Sequence, residues 1–400
     1  MPTVEAALQR LRHAPWLHAA ETQRVLALLG GAEGRTRAVG GIVRDTLLGL
    51  DRGKTDIDFA TELTPDAVMR RAAKAGIAVH PTGLEHGTVT LHSGALVVEV
   101  TTLREDVDTD GRHATVAFGT DWAVDAARRD FTLNALYVGM DGTLFDPLSG
   151  LDDCLARRVR FIGDARARIA EDRLRVYRFF RFSASHAQQS FDADGVAACA
   201  EAAGTLGRLA AERVGTEMRK MLSLPRIGKT LAAMAEAGIG DLSPLGIARV
   251  SAHEAGLDHP PFAARLALLA ETGALDPLEA RWRLSKAESR RASAILAAAA
   301  LIGEVALNEA AYRYAEVVDD ALGVARVLFG WGAAAEAALR ARLAAIQPQG
   351  LPLAGRDFLA AGLAAGPAVG DALKRAERLW IDSGFTLSRE ALLSAALQPD

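Results

Sequence analysis

The chain has 400 residues, 50% hydrophobic and 24% charged, with 46 Lys and Arg against 50 Asp and Glu for a net charge of −4. That length exceeds what one core usually serves and the composition excludes a disordered chain, so a globular protein of several domains is expected. A polyanionic partner would have to be met by a local patch, because the total charge offers it nothing.

Cys154 and Cys199 fit neither a paired metal knuckle nor a disulfide framework, which points to a reducing cytoplasm. The opening MPTVEAALQRLRHAPWLH has no apolar signal region, and ASAILAAAALIG from Ala292 is too short to span a bilayer, so no membrane is expected.

TRAV (36–39) reads as a strand ended by Gly40 and Gly41, and IVRDTLLG follows helical spacing up to Gly49. Thr55 to Ala60 reads as a second strand. Thr64 is placed to cap a helix that starts at Pro65 and stops before Gly76. Gly87 to His92 and Ala95 to Thr102 flank Ser93-Gly94 as a hairpin, and Ala135 to Met140 pairs across Asp141-Gly142 with Thr143 to Phe145. Between the hairpins, LREDVDTDGRHATVAFGTD reads as a long polar loop. After the turn FDPLSG nearly everything follows helical spacing, with breaks near Gly163, Gly204, Pro225, Pro260-Pro261 and Gly303 and a last one at QPQGLPLAG. The expectation is an α/β head over residues 1–150 and an all-α remainder.

Three features of the head bear on chemistry. Asp56 and Asp58 alternate on a strand, so both carboxylates project from one face and can share a hard cation such as Mg²⁺; the same D-x-D pattern is also common at strand edges and turns. GGIVRD joins a strand, a Gly-Gly turn and a helix start, which brings backbone N–H groups and a positive dipole end to a phosphate, with Arg44 adding charge. The alternative is a plain strand-to-helix turn. Glu99, in LVVEVTT, sits on a strand apolar enough to demand a partner, either as a third metal ligand or in a salt bridge to an arginine.

GGIVRDTLLG, TDIDFA, DVDTDGRHA, ARRDFTLNAL, EDRLRVYRFFR and AERVGTEM occur in this order. In them the chain resembles the bacterial class II tRNA nucleotidyltransferase and poly(A) polymerase family over essentially its whole length. The resemblance implies a polymerase-β-like nucleotidyltransferase palm (1–150) with a mixed or antiparallel sheet and helices. A helical neck (151–225), body (226–346) and tail (347–400) would follow. It implies that Asp56 and Asp58, with Glu99, are catalytic and that the two aspartates hold Mg²⁺. It makes Gly41 and Arg44 triphosphate contacts, and Arg129 and Asp130 sugar and phosphate contacts. Glu212, Arg213 and Glu217 match the pattern thought to brace the neck helix.

The implied activity is addition of C, C and A to the 3′ end of tRNA from CTP and ATP. Poly(A) polymerase, an A-only or CC-only enzyme, and a catalytically silent RNA-binding protein are the alternatives. Within EDRLRVYRFFR, Asp172 and Arg175 are three apart and, on one helix face, would read the amino donor and ring-nitrogen acceptor shared by cytosine and adenine. Arg178 and Arg181 continue toward the triphosphate or primer. The plainer reading is an amphipathic helix with Glu171 paired to Arg175. Nine arginines and three acids between Arg157 and Arg181 leave a local excess of +6 suited to a polyanion.

Overall fold

The computed structural model describes residues 3–50, 56–109, 114–255, 257–270 and 275–398, which pack as two compact units. One runs to Glu217 and adds Ala233–Gly240; the other takes Met218–Ala232 and the chain from Asp241 onward.

The first unit holds the strands β1 (Thr36–Val39), β2 (Ile57–Thr61), β3 (Ala78–Gly83), β4 (Thr88–Ser93), β5 (Leu96–Thr102), β6 (Arg104–Thr109), β7 (Ala114–Phe118), β8 (Tyr137–Val138) and β9 (Leu144–Phe145). Seven form a mixed sheet in the order β3-β4-β5-β2-β1-β8-β9. Only the β2–β5 pair is parallel, and its crossover carries the helix Pro65–Lys74 and the β3–β4 hairpin. Strand alternation fixes what faces where: Val98 and Val100 of β5 are buried and Val97 and Glu99 are exposed. Glu99 therefore lies on the open face, where solvent already serves its charge, and the burial argument for its needing a partner does not apply.

Register then assembles one end of the sheet. Val39 pairs with Asp58 on one side and Tyr137 on the other, and Asp58 pairs with Glu99. The Gly40-Gly41 turn thus leaves β1 beside the carboxylates. Gly40 has φ +75 and ψ −123, which a side chain would resist, and Gly49 closes the helix Gly41–Leu48 in the left-handed region. Behind this end Val39, Ala60, Leu103, Trp122, Ala126, Tyr137 and Ile162 form a buried cluster.

Two expectations change. The polar stretch after Leu103 is not simply a loop, because β6 and β7 pair antiparallel with a register shift between Asp106 and Asp108. A two-stranded ribbon outside the main sheet needs no apolar face, so REDVDT lacks the alternation that marks a strand. Residues 110–113 of the family-like loop lie outside the described residues, as does Thr55. Thr64 occupies the cap position before Pro65, but its side chain accepts no hydrogen bond from the helix.

Beyond Phe145 every described element of regular structure is helical, apart from a lone bridge between Phe131 and Phe161. Every described element of regular structure in the second unit is a helix. Leu353, Phe358, Ala372, Ala376, Trp380, Leu392 and Ala396 make one of its cores. Cys154 and Cys199 are free and buried, and burial pushes both thiols up to about 12. Among the described residues no helix is long and apolar enough to cross a membrane.

Candidate active site

A cavity of about 550 Å³ opens in the first unit where the Gly40-Gly41 turn, β2 and the helix from Arg175 meet. Arg44, Arg128, Arg129, Arg175, Arg178 and Arg213 line it together with Asp58, Asp130, Asn134, Asp172 and Phe182. The cations outnumber the acids, and the helix Gly41–Leu48 starts there without a side-chain cap. Its first N–H groups and its dipole end are thus available to an anion.

Asp58 lies on the rim. Although the residue is solvent-exposed, the protein around it and the neighbouring charge of Glu99 push its carboxyl up to about 6 against the pull of Arg129, with Asp56 adding repulsion. Asp56 precedes β2 and is exposed. Among the described residues no group of three or more His, Cys, Asp or Glu stands close enough to hold an ion on its own. The hard oxygen donors and their mutual repulsion nevertheless fit a divalent cation, which would lower the raised pKa of Asp58.

Arg44 is buried and donates to Asn134 Oδ1 and, at 2.9 Å, to Asp45 Oδ1. His186 Nε2 lies 3.2 Å from the same Asp45 oxygen. Burial works to raise the Asp45 pKa, but the His186 hydrogen bond and Arg44 overcome it and hold the carboxyl at about 2. This stabilisation is complete above the ordinary value of 3.8 and is lost as pH falls through about 2. Asp45→Asn is therefore expected to cost about 2 kcal/mol at pH 7, and thermal melts of both proteins should converge as the pH approaches 2.

Arg129 is fixed by a buried hub that the sequence reading missed. Asp125 Oδ2 accepts from Arg129 Nη2 at 3.1 Å and from the Tyr137 hydroxyl at 2.9 Å, and its Oδ1 accepts from Arg128 Nε at 2.8 Å. Burial disfavours the Asp125 charge, yet the two arginines more than offset it and lower its pKa. Both oxygens of Asp130 are engaged as well: Oδ1 by the Phe131 N–H and Asn134, Oδ2 by Arg178 Nε and Nη2 at 2.8 and 2.6 Å. Asp130 thus holds Arg178 at the cavity wall. The signal for Asp125 was its i+3 and i+4 spacing to Arg128 and Arg129.

The neck segment departs from expectation. Asp172 and Arg175 do not share a helix: one helix ends at Glu171, Asp172 is extended with φ −144, and the next starts at Arg175. Asp172 Oδ1 accepts the Leu174 N–H at 3.1 Å, and that competing side-chain bond interrupts the helix. Both residues still line one cavity, as a cap and a first-turn side chain. Arg175 donates to Glu171 Oε2 at 2.7 Å and to the carbonyls of Arg168 and Arg128 at 2.9 Å, leaving two of its five N–H groups. The plainer Glu171–Arg175 pairing is therefore present in the structure. Asp172 Oδ2 accepts from Arg213 at 2.8 Å.

Arg181 does not line the cavity. It donates to buried Glu217 at 2.6 Å and lies over the Phe182 ring, which Arg44 and Arg178 also face. Part of the local excess of +6 is likewise met from elsewhere in the chain, by Asp153 for Arg160, Glu201 for Arg166, Asp130 for Arg178 and Glu217 for Arg181. The stretch is less a bare cationic face than a set of braced arginines.

Residues 36–160 match the poly A polymerase head domain family. The chain is 33% identical over 372 residues to the mitochondrial CCA tRNA nucleotidyltransferase 1 of Mus musculus, covering 90% of this chain and 85% of that protein. It is 37% identical over 209 residues to the CCA-adding enzyme of Oceanobacillus iheyensis, half of whose length it covers. In three dimensions it resembles the crystal structure of the Bacillus stearothermophilus CCA-adding enzyme in complex with CTP, with a TM-score of 0.78, 27% identity and coverage of 94% of this chain and 97% of the other. The fold of a Thermotoga maritima CCA-adding enzyme complexed with tRNA is also similar, with a TM-score of 0.66 at 19% identity.

Proposed function

Because the chain belongs to the CCA tRNA nucleotidyltransferase family, we infer that it is the enzyme that adds C, C and A to tRNA 3′ ends from CTP and ATP. The observation that carries the reading is the meeting of a cationic cavity with an exposed carboxylate pair at one end of the sheet. A triphosphate fits the first, and transfer chemistry needs the second.

In the reaction the 3′ hydroxyl of the RNA attacks the α-phosphorus, a new P–O bond forms, the bond to the β-phosphate bridge breaks, and pyrophosphate leaves. Mg²⁺, held by Asp56 and Asp58 with Glu99 beside them, would neutralise charge on the attacking and leaving oxygens. The turn amides at Gly41 and the Arg44 guanidinium receive the phosphates, and Arg129, Arg178 and Asp130 position the sugar and α-phosphate. Arg181 acts from behind Phe182, stiffening the arginine wall. Asp172 accepts from the exocyclic amino group of cytosine or adenine, and Arg175 donates to the ring nitrogen. Uracil and guanine reverse that order, at about 1 to 3 kcal/mol per unsatisfied group.

The chain divides into head (1–150), neck (151–225), body (226–346) and tail (347–400), and the enzyme works in the cytoplasm. The neck is read as continuing the head's cavity and the body and tail as gripping RNA. The test is Mg²⁺-dependent incorporation of each of four labelled nucleotides into tRNA lacking zero, one, two or three terminal residues. Sequential C, C and A with no addition to complete tRNA is expected. Continued A addition would instead indicate a poly(A) polymerase, and no incorporation a silent RNA-binding protein.

Two variants probe the nucleotide site. Asp125→Asn should raise the KM for CTP and ATP together by roughly tenfold, since it frees Arg129 without touching the bases. Arg175→Ala should admit UTP and GTP while tRNA affinity holds within about threefold, and unchanged nucleotide preference in a competition assay would remove Arg175 from the base-reading role.

A further inference from the structure

A second cavity, about 800 Å³, meets the first at Gly41 and Asp58. Its wall is made by the N-terminal segment, with Arg10, His13 and Trp16, and by Asp45 and Asp56. The two cavities differ in charge. The first is dominated by arginines, whereas among the described residues the second sets Arg10 and His13 against Asp45, Asp56 and Asp58, so a triphosphate is drawn to the first. Asp56 lines only the second.

Trp16 is built into this wall. It is half-buried, and its indole N–H donates to Thr46 Oγ1 at 2.9 Å. Thr46 in turn donates to the Ile42 carbonyl at 2.7 Å, which ties the ring to the helix that begins at Gly41. Arg10, in the preceding helix Val4–Arg12, donates to the Leu47 carbonyl at 2.5 Å, so two successive N-terminal helices are anchored to the same partner. A fixed aromatic ring in one cavity with the carboxylates, in a space large enough for a nucleoside, has the chemistry of a stacking platform.

We propose that this second cavity receives the 3′-terminal nucleotide of the RNA acceptor and that Trp16 is a positioning residue, stacking on its base so that the ribose hydroxyl faces Asp56 and Asp58. His13, exposed on the rim, lies where the single phosphate of that nucleotide would pass. The inference rests on the tRNA nucleotidyltransferase reading above. It adds that the two substrates meet at Asp58 from separate cavities. Stacking is tolerant of base identity, which suits an acceptor end that changes with each addition.

The experiment uses the full chain, Mg²⁺ and tRNA lacking its last three residues, with and without 2-aminopurine as the terminal base. Trp16→Ala is expected to lower kcat/KM for tRNA by about tenfold or more with the KM for CTP unchanged, and Trp16→Phe to stay within about threefold of the parent. The parent should quench the 2-aminopurine fluorescence on binding, and Trp16→Ala should not. Equal kcat/KM and equal quenching in parent and Trp16→Ala, or a matching rise in the KM for CTP, would overturn the proposal while leaving the enzyme reading intact. Should Trp16→Ala fail to fold, absence of quenching by the parent itself overturns it. A parent that incorporates no nucleotide into any tRNA brings down the underlying reading instead.

Discussion

Replacing Asp58 by alanine is expected to lower nucleotide incorporation by at least about a thousandfold without lowering the melting temperature. The two halves of this expectation have one cause. Asp58 is paired in register with Glu99 and stands near Asp56, and the protein around its carboxyl together with these charges raises it to about 6. A group whose folded pKa is raised binds its proton more tightly in the folded state, so its ionisation lowers stability as pH climbs from the ordinary 3.8 through 6. Removing the carboxylate relieves that repulsion, so Asp58→Asn should melt at or slightly above the parent at pH 7 when no divalent ion is added. Mg²⁺ should then raise the melting temperature of the parent and not that of the variant. Melts with and without Mg²⁺, run beside a CMP-incorporation assay, check both halves. A variant that keeps a tenth of the activity, or one that melts well below the parent, would show that Asp58 serves the fold rather than the reaction.

The exposed face of β2 that carries Asp58 was legible in the sequence because strand alternation is a local rule, although Asp56 precedes the strand; TRAV, the Gly-Gly turn and the Ser93-Gly94 hairpin were legible because they too are set by neighbours in the chain. What stayed hidden depends on residues distant in the chain. Arg178 with Asp130, Arg181 with Glu217 and Arg213 with Asp172 are partners across 48, 36 and 41 positions, and no periodicity announces such pairs. Those partners turned a presumed polyanion path into a braced wall. The break at Asp172 was hidden by the helical spacing of EDRLRVYRFFR, which cannot show that a carboxylate will prefer the Leu174 N–H to a place in a continuous helix. The break leaves both side chains on one cavity, because a cap and a first-turn side chain reach the same space. The proposed base-reading geometry rests on Asp172, at the end of one helix, being held by Arg213, and Arg213→Ala should therefore loosen nucleotide selection.

The largest expected loss of stability lies in the second unit, at a fully buried arginine. Arg265 donates to the carbonyls of Leu222 and Leu224 at 2.5 Å, to that of Pro225 at 2.8 Å and to Glu254 Oε1 at 2.6 Å. Glu254 in turn accepts the N–H groups of Ile227 and Gly228 at 3.1 Å, so one ion pair ties the end of the helix Ala211–Leu222 to the start of Gly228–Glu236. Arg265→Ala strands a buried carboxylate and three carbonyls, which should cost about 3 to 5 kcal/mol and lower the melting transition of this unit by on the order of 10 °C. The pair itself is worth far less than its rupture, because two charges were taken out of water to make it. Combining Arg265→Met with Glu254→Gln should therefore recover part of the loss, giving a coupling of about 1 to 3 kcal/mol between the two sites. Differential scanning calorimetry of the parent, both single variants and the double variant measures that coupling directly. A drop of less than about 2 °C for Arg265→Ala, or strictly additive single effects, would mean that water reaches the site and the chain between Leu222 and Gly228 is held by other contacts.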